Sequence, residues 1–147
     1  LSVMGMPAIY YHSLLGSRNC YRDFEESGIK RRINREKLNA DQLKTELSDP
    51  NSLRSRVLAG YRQMLKIRKQ EEAFSPNSPQ QVLKLDERVF ALIRGTQENQ
   101  ILVLINVSDD VVKLETGMAG SGLLSEKQMN QAVTLEPYEY LWLKIKG

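Results

Sequence analysis

Ile101-Leu102-Val103-Leu104-Ile105 is one of the two longest uninterrupted apolar runs, each of five residues, in the 147 residues of the chain. A strand that is apolar at every position is buried on both faces, so the run predicts the central strand of a β-sheet. Neighbouring stretches also have the composition of strands, with turn residues such as Asp86-Glu87 and Asp109-Asp110 between them. Strands that recur at this spacing predict a small antiparallel β-sandwich. The predicted strands cover residues 81–85, 89–94, 100–107, 111–115, 132–135 and 140–146.

The first half of the chain has helical patterning instead, and the Pro/Ser/Asn stretch at residues 75–79 cannot continue a helix. Asn39 is placed to cap a short helix. An Asp-Pro pair predicts the start of a longer helix over about residues 50–69, with apolar residues on one face and its arginines and lysines mostly towards water. We therefore expect two domains, residues 1–75 and 76–147.

Two further segments lie outside these helices and strands. The four residues Ala8-Ile9-Tyr10-Tyr11 are apolar and β-favouring, which predicts one short buried strand. A long irregular segment follows over residues 12–37, and loops of this length in compact domains commonly carry function. Three glycines make residues 116–131 a second predicted loop, to which the sequence assigns no role.

Composition limits the class of protein. The chain is 41% hydrophobic and 27% charged, which is typical of a soluble globular protein, and its longest apolar run is far shorter than the roughly 20 residues of a membrane span. The single cysteine, Cys20, excludes an internal disulfide, and one histidine with one cysteine cannot build a His/Cys zinc site. We therefore expect a cytoplasmic protein without a metal, a cofactor or a membrane partner. Because Leu1 is not an initiating Met, the chain also looks cut from something longer.

The net charge of +3 is unevenly distributed. Residues 1–75 hold 14 Lys/Arg against 9 Asp/Glu, whereas residues 76–147 hold 7 against 9. Much of the excess lies in Gly28-Ile29-Lys30-Arg31-Arg32-Ile33-Asn34-Arg35, where the arginine forks and the amide of Asn34 suit a phosphate or carboxylate. A cluster this local indicates an anionic ligand more than a nucleic acid. The alternative interpretation is a solvated basic loop.

His12 directly follows the predicted strand, and loops at strand ends commonly build sites. It is a candidate donor at the mouth of a site, although a lone histidine is also commonly structural. Asp23, Glu25 and Glu26 are the acids nearest the basic cluster. Retaining glycoside chemistry needs two carboxyls about 5 Å apart, and neighbouring loop positions do not guarantee that separation.

Three stretches of the chain resemble one enzyme family. Gly5-Met6-Pro7-Ala8-Ile9-Tyr10-Tyr11 resembles the segment that leads into barrel strand 8 of the α-amylase superfamily of glycoside hydrolases. Leu14-Leu15-Gly16-Ser17-Arg18-Asn19, followed by Gly28 and Arg31-Arg32-Ile33-Asn34-Arg35, is similar to the branch that holds sucrose, sucrose 6-phosphate and glucosylglycerate phosphorylases. Residues 135–143 resemble the last strands of the family's C-terminal β domain. One departure is Cys20, which stands where the branch usually has an acidic residue.

This resemblance implies an α+β fragment: the last β/α unit of a (β/α)8 TIM barrel, with strand 8 and its active-site loop, followed by the antiparallel β-sandwich domain. It implies a parent enzyme that converts an α-glucoside and inorganic phosphate to α-glucose 1-phosphate by a retaining double displacement. The family's catalytic carboxylates belong to barrel strands that precede Leu1, so the fragment alone is expected to be inactive. We expect it to self-associate, or to pack on the missing barrel, through exposed apolar faces.

The resemblance also implies a set of phosphate- or substrate-binding residues. Arg31 matches the family's arginine that contacts phosphate or the acceptor sugar. Asn34 and Arg35 match the same motif, while Tyr11 and His12 lie where the site opens at the end of the strand. Two alternatives stay open: a parent that hydrolyses or transglycosylates α-glucosides, and a self-standing anion-binding module. The sequence determines neither the donor glucoside nor the oligomeric state.

Overall fold

The computed structural model describes residues 1–146, which divide into two compact units. The β unit consists of residues 1–6 and 64–146, and the helical unit consists of residues 7–63. The α-helices are α1 Tyr11–Leu14, α2 Tyr21–Ser27, α3 Ala40–Ser48 and α4 Leu53–Gln70, and two 3-10 helices cover Lys30–Asn34 and Glu72–Phe74. The strands are β1 Gln80–Asp86, β2 Val89–Thr96, β3 Asn99–Asn106, β4 Val112–Gly122, β5 Gln128–Leu135 and β6 Tyr140–Ile145.

Six antiparallel strands form one sheet, in the order β1-β2-β3-β6-β4-β5, within the described part of the chain. β3 lies between β2 and β6, with Ile105 opposite Phe90 on one side and opposite Tyr140 on the other. Residues 101–104 of β3 are fully buried. The prediction of a central strand covered on both faces is therefore confirmed, as is the antiparallel arrangement.

One face of the sheet encloses the main hydrophobic core of the β unit, and every strand contributes to that core. Because β6 pairs both with β3 and with β4, all six strands belong to one continuous sheet that curls around the core. The predicted sandwich of two separately packed sheets is not confirmed. The buried members of the core are Val89, Ala91, Leu102, Leu104, Val112, Leu114, Met129, Val133, Leu135, Leu141 and Leu143.

The opposite face of the sheet is covered by residues 73–74 and by the last turns of α4. Phe74 packs on Trp142 with ring centroids 4.4 Å apart, and both side chains are buried. The indole Nε1–H of Trp142 donates to Ser2 Oγ at 2.9 Å. Residues 1–6 are thus attached to the core of the β unit, although they are distant in sequence from the rest of that unit.

Two arginines are buried on this face, and neither has a carboxylate partner among residues 1–146. Arg94 is fully buried and donates to the carbonyl oxygens of Ser2 at 2.9 Å and Ser75 at 2.8 Å. Arg68 donates to the carbonyl oxygen of Gly5 at 2.9 Å. Burial lowers the pKa of both guanidinium groups. Carbonyl dipoles take the place of a counter-ion here, and they fasten the N-terminal segment to the sheet.

The predicted strand over residues 8–11 is wrong. Residues 8–10 have no regular secondary structure, and Tyr11 begins α1. A strand exists only through hydrogen bonds to its neighbours, and residues 8–10 pair with none of the described strands. The assignment of residues 1–75 to the end of a barrel stays a prediction, and so does the domain boundary that goes with it.

Two segments that were predicted as loops contain regular structure. Residues 12–37 hold most of α1, all of α2 and a 3-10 helix. Residues 116–131 are largely strand, because β4 continues to Gly122 and β5 begins at Gln128. The glycines of that segment suggested a loop, whereas the structure pairs the two strands across a register shift. Strand pairing depends on residues that are distant in sequence, so the composition of the segment alone did not predict these strands.

The starts of α3 and α4 are capped by side chains. Asn39 Oδ1 accepts hydrogen bonds from two backbone N–H groups in the first turn of α3, each at 3.0 Å, so its predicted capping role is confirmed. α4 begins at Leu53, three residues later than predicted. Ser52 Oγ accepts from the backbone N–H of Ser55 at 3.0 Å, which makes Ser52 the capping residue.

Candidate functional site: a cationic cleft in the helical unit

Four residues of the helical unit line a cleft of about 300 Å³: Tyr10, Arg31, Asn34 and Arg35. Arg31, Asn34 and Arg35 are exposed, and Tyr10 is 44% exposed. Three of the five residues that the sequence analysis assigned to the site therefore meet at one surface. Tyr10, the fourth lining residue, was not predicted as a site residue, because the sequence placed it inside a buried strand.

The 3-10 helix Lys30–Asn34 brings the basic side chains to one side. In such a helix, side chains three positions apart are eclipsed, so Arg31 and Asn34 share a face, and Arg35 follows directly. Ile33 is half-buried, and its carbonyl oxygen accepts from the backbone N–H of Cys20 at 2.6 Å. This bond fixes the basic turn to the segment that precedes α2.

Gly28 allows the chain to turn from α2 into the basic segment. It ends α2 in the left-handed region at φ +65, and its N–H donates to the carbonyl oxygen of Phe24 at 2.8 Å. Residues with a Cβ adopt this conformation at a cost, so glycine is the favoured residue at such a helix end. The position of Arg31 thus depends on a glycine three residues earlier.

Tyr10 connects the cleft to the remaining two predicted site residues. Its hydroxyl donates to the carbonyl oxygen of Asn34 at 3.2 Å. Its ring meets Tyr11 at 5.1 Å and His12 at 5.3 Å, both in edge-on geometry. Tyr11 and His12 do not line the cleft themselves; they support the tyrosine that does.

His12 is buried, with 4% of its surface exposed, and the ring of Tyr11 lies 4.0 Å from its own. His12 Nδ1 is hydrogen-bonded to Ser17 Oγ at 2.9 Å, and the backbone N–H of Ser17 donates to His12 O at 2.8 Å. His12 Nε2 is buried and has no hydrogen-bond partner among the described residues. The buried position of His12 differs from the prediction, which placed this residue at the open mouth of a site.

Arg54 is a functional-site candidate that the sequence analysis placed towards water. Only 14% of its side chain is exposed, because it forms ion pairs with Glu36, at 3.3 Å, and with Glu46. Its Nη1 also donates to the carbonyl oxygen of Leu15 at 3.0 Å and to Ser17 Oγ at 2.9 Å. The sequence carried no signal for this, since the two glutamates lie 8 and 18 positions away.

The lining of the cleft suits an anion. Two guanidinium groups and one amide supply donors, and no carboxylate among the described residues lines the same space. No group of three or more His, Cys, Asp or Glu side chains within residues 1–146 is arranged to hold a metal ion. The helices of that part of the chain include none with the length and apolar character to cross a membrane.

Curated relatives of the chain are glucosylglycerate phosphorylases. The protein from Spirochaeta thermophila is 49% identical over 110 residues, which are 74% of this chain and 19% of that protein. The protein from Allomeiothermus silvanus is 36% identical over 143 residues, which are 97% of this chain and 25% of that protein. The chain therefore spans about a fifth to a quarter of the length of these relatives and matches a C-terminal part of them. No family model matches the chain.

The fold is similar to solved structures of the α-amylase family. Trehalulose synthase MutB from Pseudomonas mesoacidophila aligns with a TM-score of 0.59 at 21% identity, over 75% of this chain and 21% of that one. At this identity the likeness shows the fold alone. The two kinds of comparison confirm the resemblance to the phosphorylase-like branch of the α-amylase superfamily, with this chain corresponding to a C-terminal part.

Proposed function

We propose that this chain is the C-terminal part of a cytoplasmic, cofactor-free enzyme that phosphorolyses an α-glucoside to α-glucose 1-phosphate. The relatives support the reaction, since they are phosphorylases. The observation that carries the proposal is the cleft lined by Arg31, Asn34 and Arg35. A lining of this kind attracts an anion and disfavours a cation.

The name of the relatives points to α-glucosylglycerate as the donor. Two anionic groups then take part in the reaction: the attacking phosphate and the carboxylate of the glycerate moiety. Both offer a pair of oxygens that an arginine fork binds with two parallel hydrogen bonds. We therefore assign the cleft to an oxyanion of this class, and we use kinetics to decide which of the two it holds.

In the proposed reaction a carboxylate supplied by another part of the parent enzyme attacks the anomeric carbon. The bond to the glycerate oxygen breaks, and that oxygen takes a proton from a general acid. A phosphate oxygen then forms its bond to the anomeric carbon while the glucosyl–carboxylate bond breaks, and the deprotonated general acid takes up the proton of that phosphate oxygen. Arg31 binds the anion, and Asn34 and Arg35 help to hold it in place. Tyr11 and His12 support the cleft through their contacts with Tyr10. A positioned phosphate with its charge neutralised competes effectively with water.

The test is Arg31→Ala in the full-length protein that carries this sequence, with Arg32→Ala as the matched control. Arg32 lies in the same 3-10 helix and is also exposed, but it does not line the cleft. A hydrogen bond to a charged group contributes about 1.5–3 kcal/mol. We therefore expect Arg31→Ala to raise the KM for the bound anion by about tenfold or more, with a smaller effect on kcat.

The two KM values separate the two oxyanions. A rise in the KM for phosphate alone assigns the cleft to phosphate, and a rise in the KM for glucosylglycerate alone assigns it to the glycerate carboxylate. The Arg32→Ala enzyme should match the unaltered one in both. Unchanged KM values in the Arg31→Ala enzyme would reject the cleft as an anion site.

A further inference from the structure

We propose that Arg54 is a positioning residue of the anion cleft, and that it acts through Ser17 by holding His12 in the tautomer that carries its proton on Nε2. The role in anion binding rests on the proposed function, while the tautomer of His12 is independent of it. Every contact in the argument lies within the helical unit, residues 7–63.

Arg54 does not itself line the cleft, but it contacts the chain segments on both sides of it. On one side it pairs with Glu36, the residue that follows Arg35. On the other side it donates to Leu15 O and Ser17 Oγ, just beyond α1. Glu46 holds the remaining edge of its guanidinium group. Because the planar guanidinium group of Arg54 has four partners, it holds several chain segments in a fixed arrangement.

The hydrogen bonds favour one tautomer of His12. Arginine is only a donor, so Ser17 Oγ accepts the bond from Arg54. The hydroxyl hydrogen of Ser17 then needs an acceptor, and His12 Nδ1 at 2.9 Å is the acceptor that the described residues provide. A neutral imidazole that accepts at Nδ1 carries its proton on Nε2. The Arg54–Ser17 pair thus sets the proton position of His12.

The orientation of the His12 ring reaches the cleft through Tyr10. The two rings meet edge-on at 5.3 Å, and Tyr11 packs against both of them. Aromatic pairs of this kind have preferred geometries, so a rotated imidazole displaces its neighbours. Because the hydroxyl of Tyr10 also donates to Asn34 O, a displaced Tyr10 disturbs a second wall of the cleft.

The Nε2–H that results is a buried donor without a described acceptor. Buried donors are generally paired, so this N–H is suited to an oxygen atom that arrives with a ligand. A sugar hydroxyl is an acceptor that any α-glucoside offers.

Nitrogen-15 NMR of the full-length protein tests the tautomer directly, with the signals of His12 identified by their loss in His12→Gln. We expect a protonated Nε2 and an unprotonated Nδ1 at neutral pH in the unaltered protein. Ser17→Ala and Arg54→Met should both give a mixture of tautomers, and Arg54→Lys should restore part of the original state. Arg56→Met is the matched control, since Arg56 is exposed on the same helix. A protonated Nδ1 in the unaltered protein would overturn the inference.

Titration with inorganic phosphate, and separately with glycerate, tests the effect on the cleft. The Nε–H signal of Arg31 reports binding. We expect Ser17→Ala and Arg54→Met to weaken the binding of the anion by about tenfold, with Arg56→Met unaffected. Unchanged affinity in variants that have lost the tautomer would overturn the positioning role. Absence of binding in the unaltered protein would reject the anion cleft, while the tautomer result would still decide the first half of the proposal. Ser17→Ala removes a single hydroxyl, so it keeps the test valid if Arg54→Met fails to fold.

Discussion

Arg94 is fully buried in the β unit, where it donates hydrogen bonds to backbone carbonyls of the N-terminal segment and of residues 75–79. Its carbonyl acceptors belong to residues 2, 75, 78 and 79, of which Ser75 O and Pro79 O also accept a backbone N–H each. We expect Arg94→Met to lower the free energy of unfolding by about 2–4 kcal/mol, because the buried carbonyl of Ser2 would lose its donor and three further hydrogen bonds would be lost. Urea denaturation measures the change. Lys113→Met, at an exposed position of β4, is the control and should alter it by no more than about 0.5 kcal/mol.

A second single-residue effect concerns pH. Hydrogen bonds from the Arg88 side chain and backbone lower the pKa of Asp86 from 3.8 to about 2. A carboxyl whose pKa is lower in the folded state adds stability above its unfolded pKa, and it loses that contribution as the pH falls through the folded value. The stability difference between the unaltered protein and Asp86→Asn should therefore be constant above about pH 5 and shrink between pH 4 and 2. A difference that does not change over this range would contradict the Asp86–Arg88 pair.

At the scale of secondary structure, the β2–β3 hairpin depends on Gly95. Its φ is +99, and a Cβ at this position would lie 2.0 Å from Asn99 O and 2.8 Å from Ala73 Cβ. Gly95→Ala should therefore cost more than Gly117→Ala, which shares a positive φ of +69 but has open space around it. We expect about 1 kcal/mol for Gly117→Ala and at least about 2 kcal/mol more for Gly95→Ala. Equal losses in thermal or urea unfolding would contradict the close approach at Gly95.

The helices and strands also show which features the sequence could predict and which it could not. The strand pattern of residues 81–107 is local, so alternation and turn residues located β1 to β3 within two residues of their observed ends. Residues 8–11 have the composition of a strand but pair with no strand among residues 1–146, and the partner of a strand cannot be read from its own sequence. For the site, the spacing of Arg31, Asn34 and Arg35 was visible in the sequence. The burial of Arg54 was not, because it depends on glutamates that only the fold brings near.

At the scale of the whole molecule, the chain combines a curled antiparallel sheet with a helical unit that carries a cationic cleft. It matches a C-terminal part of the curated glucosylglycerate phosphorylases, and this part makes up about a fifth to a quarter of their length. Within the proposed reaction it supplies anion binding, and the groups that form and break glycosidic bonds come from elsewhere in the parent. Self-association of the isolated chain, or its packing on a barrel, stays a prediction that sedimentation analysis can decide.

The most direct test of the central claim is the product formed by the full-length protein from α-glucosylglycerate, with and without inorganic phosphate. Glucose 1-phosphate and free glucose are quantified separately. The account predicts glucose 1-phosphate that rises with phosphate concentration to saturation, and little free glucose. Free glucose released at the same rate with or without phosphate would contradict it, because water rather than phosphate would then be the acceptor.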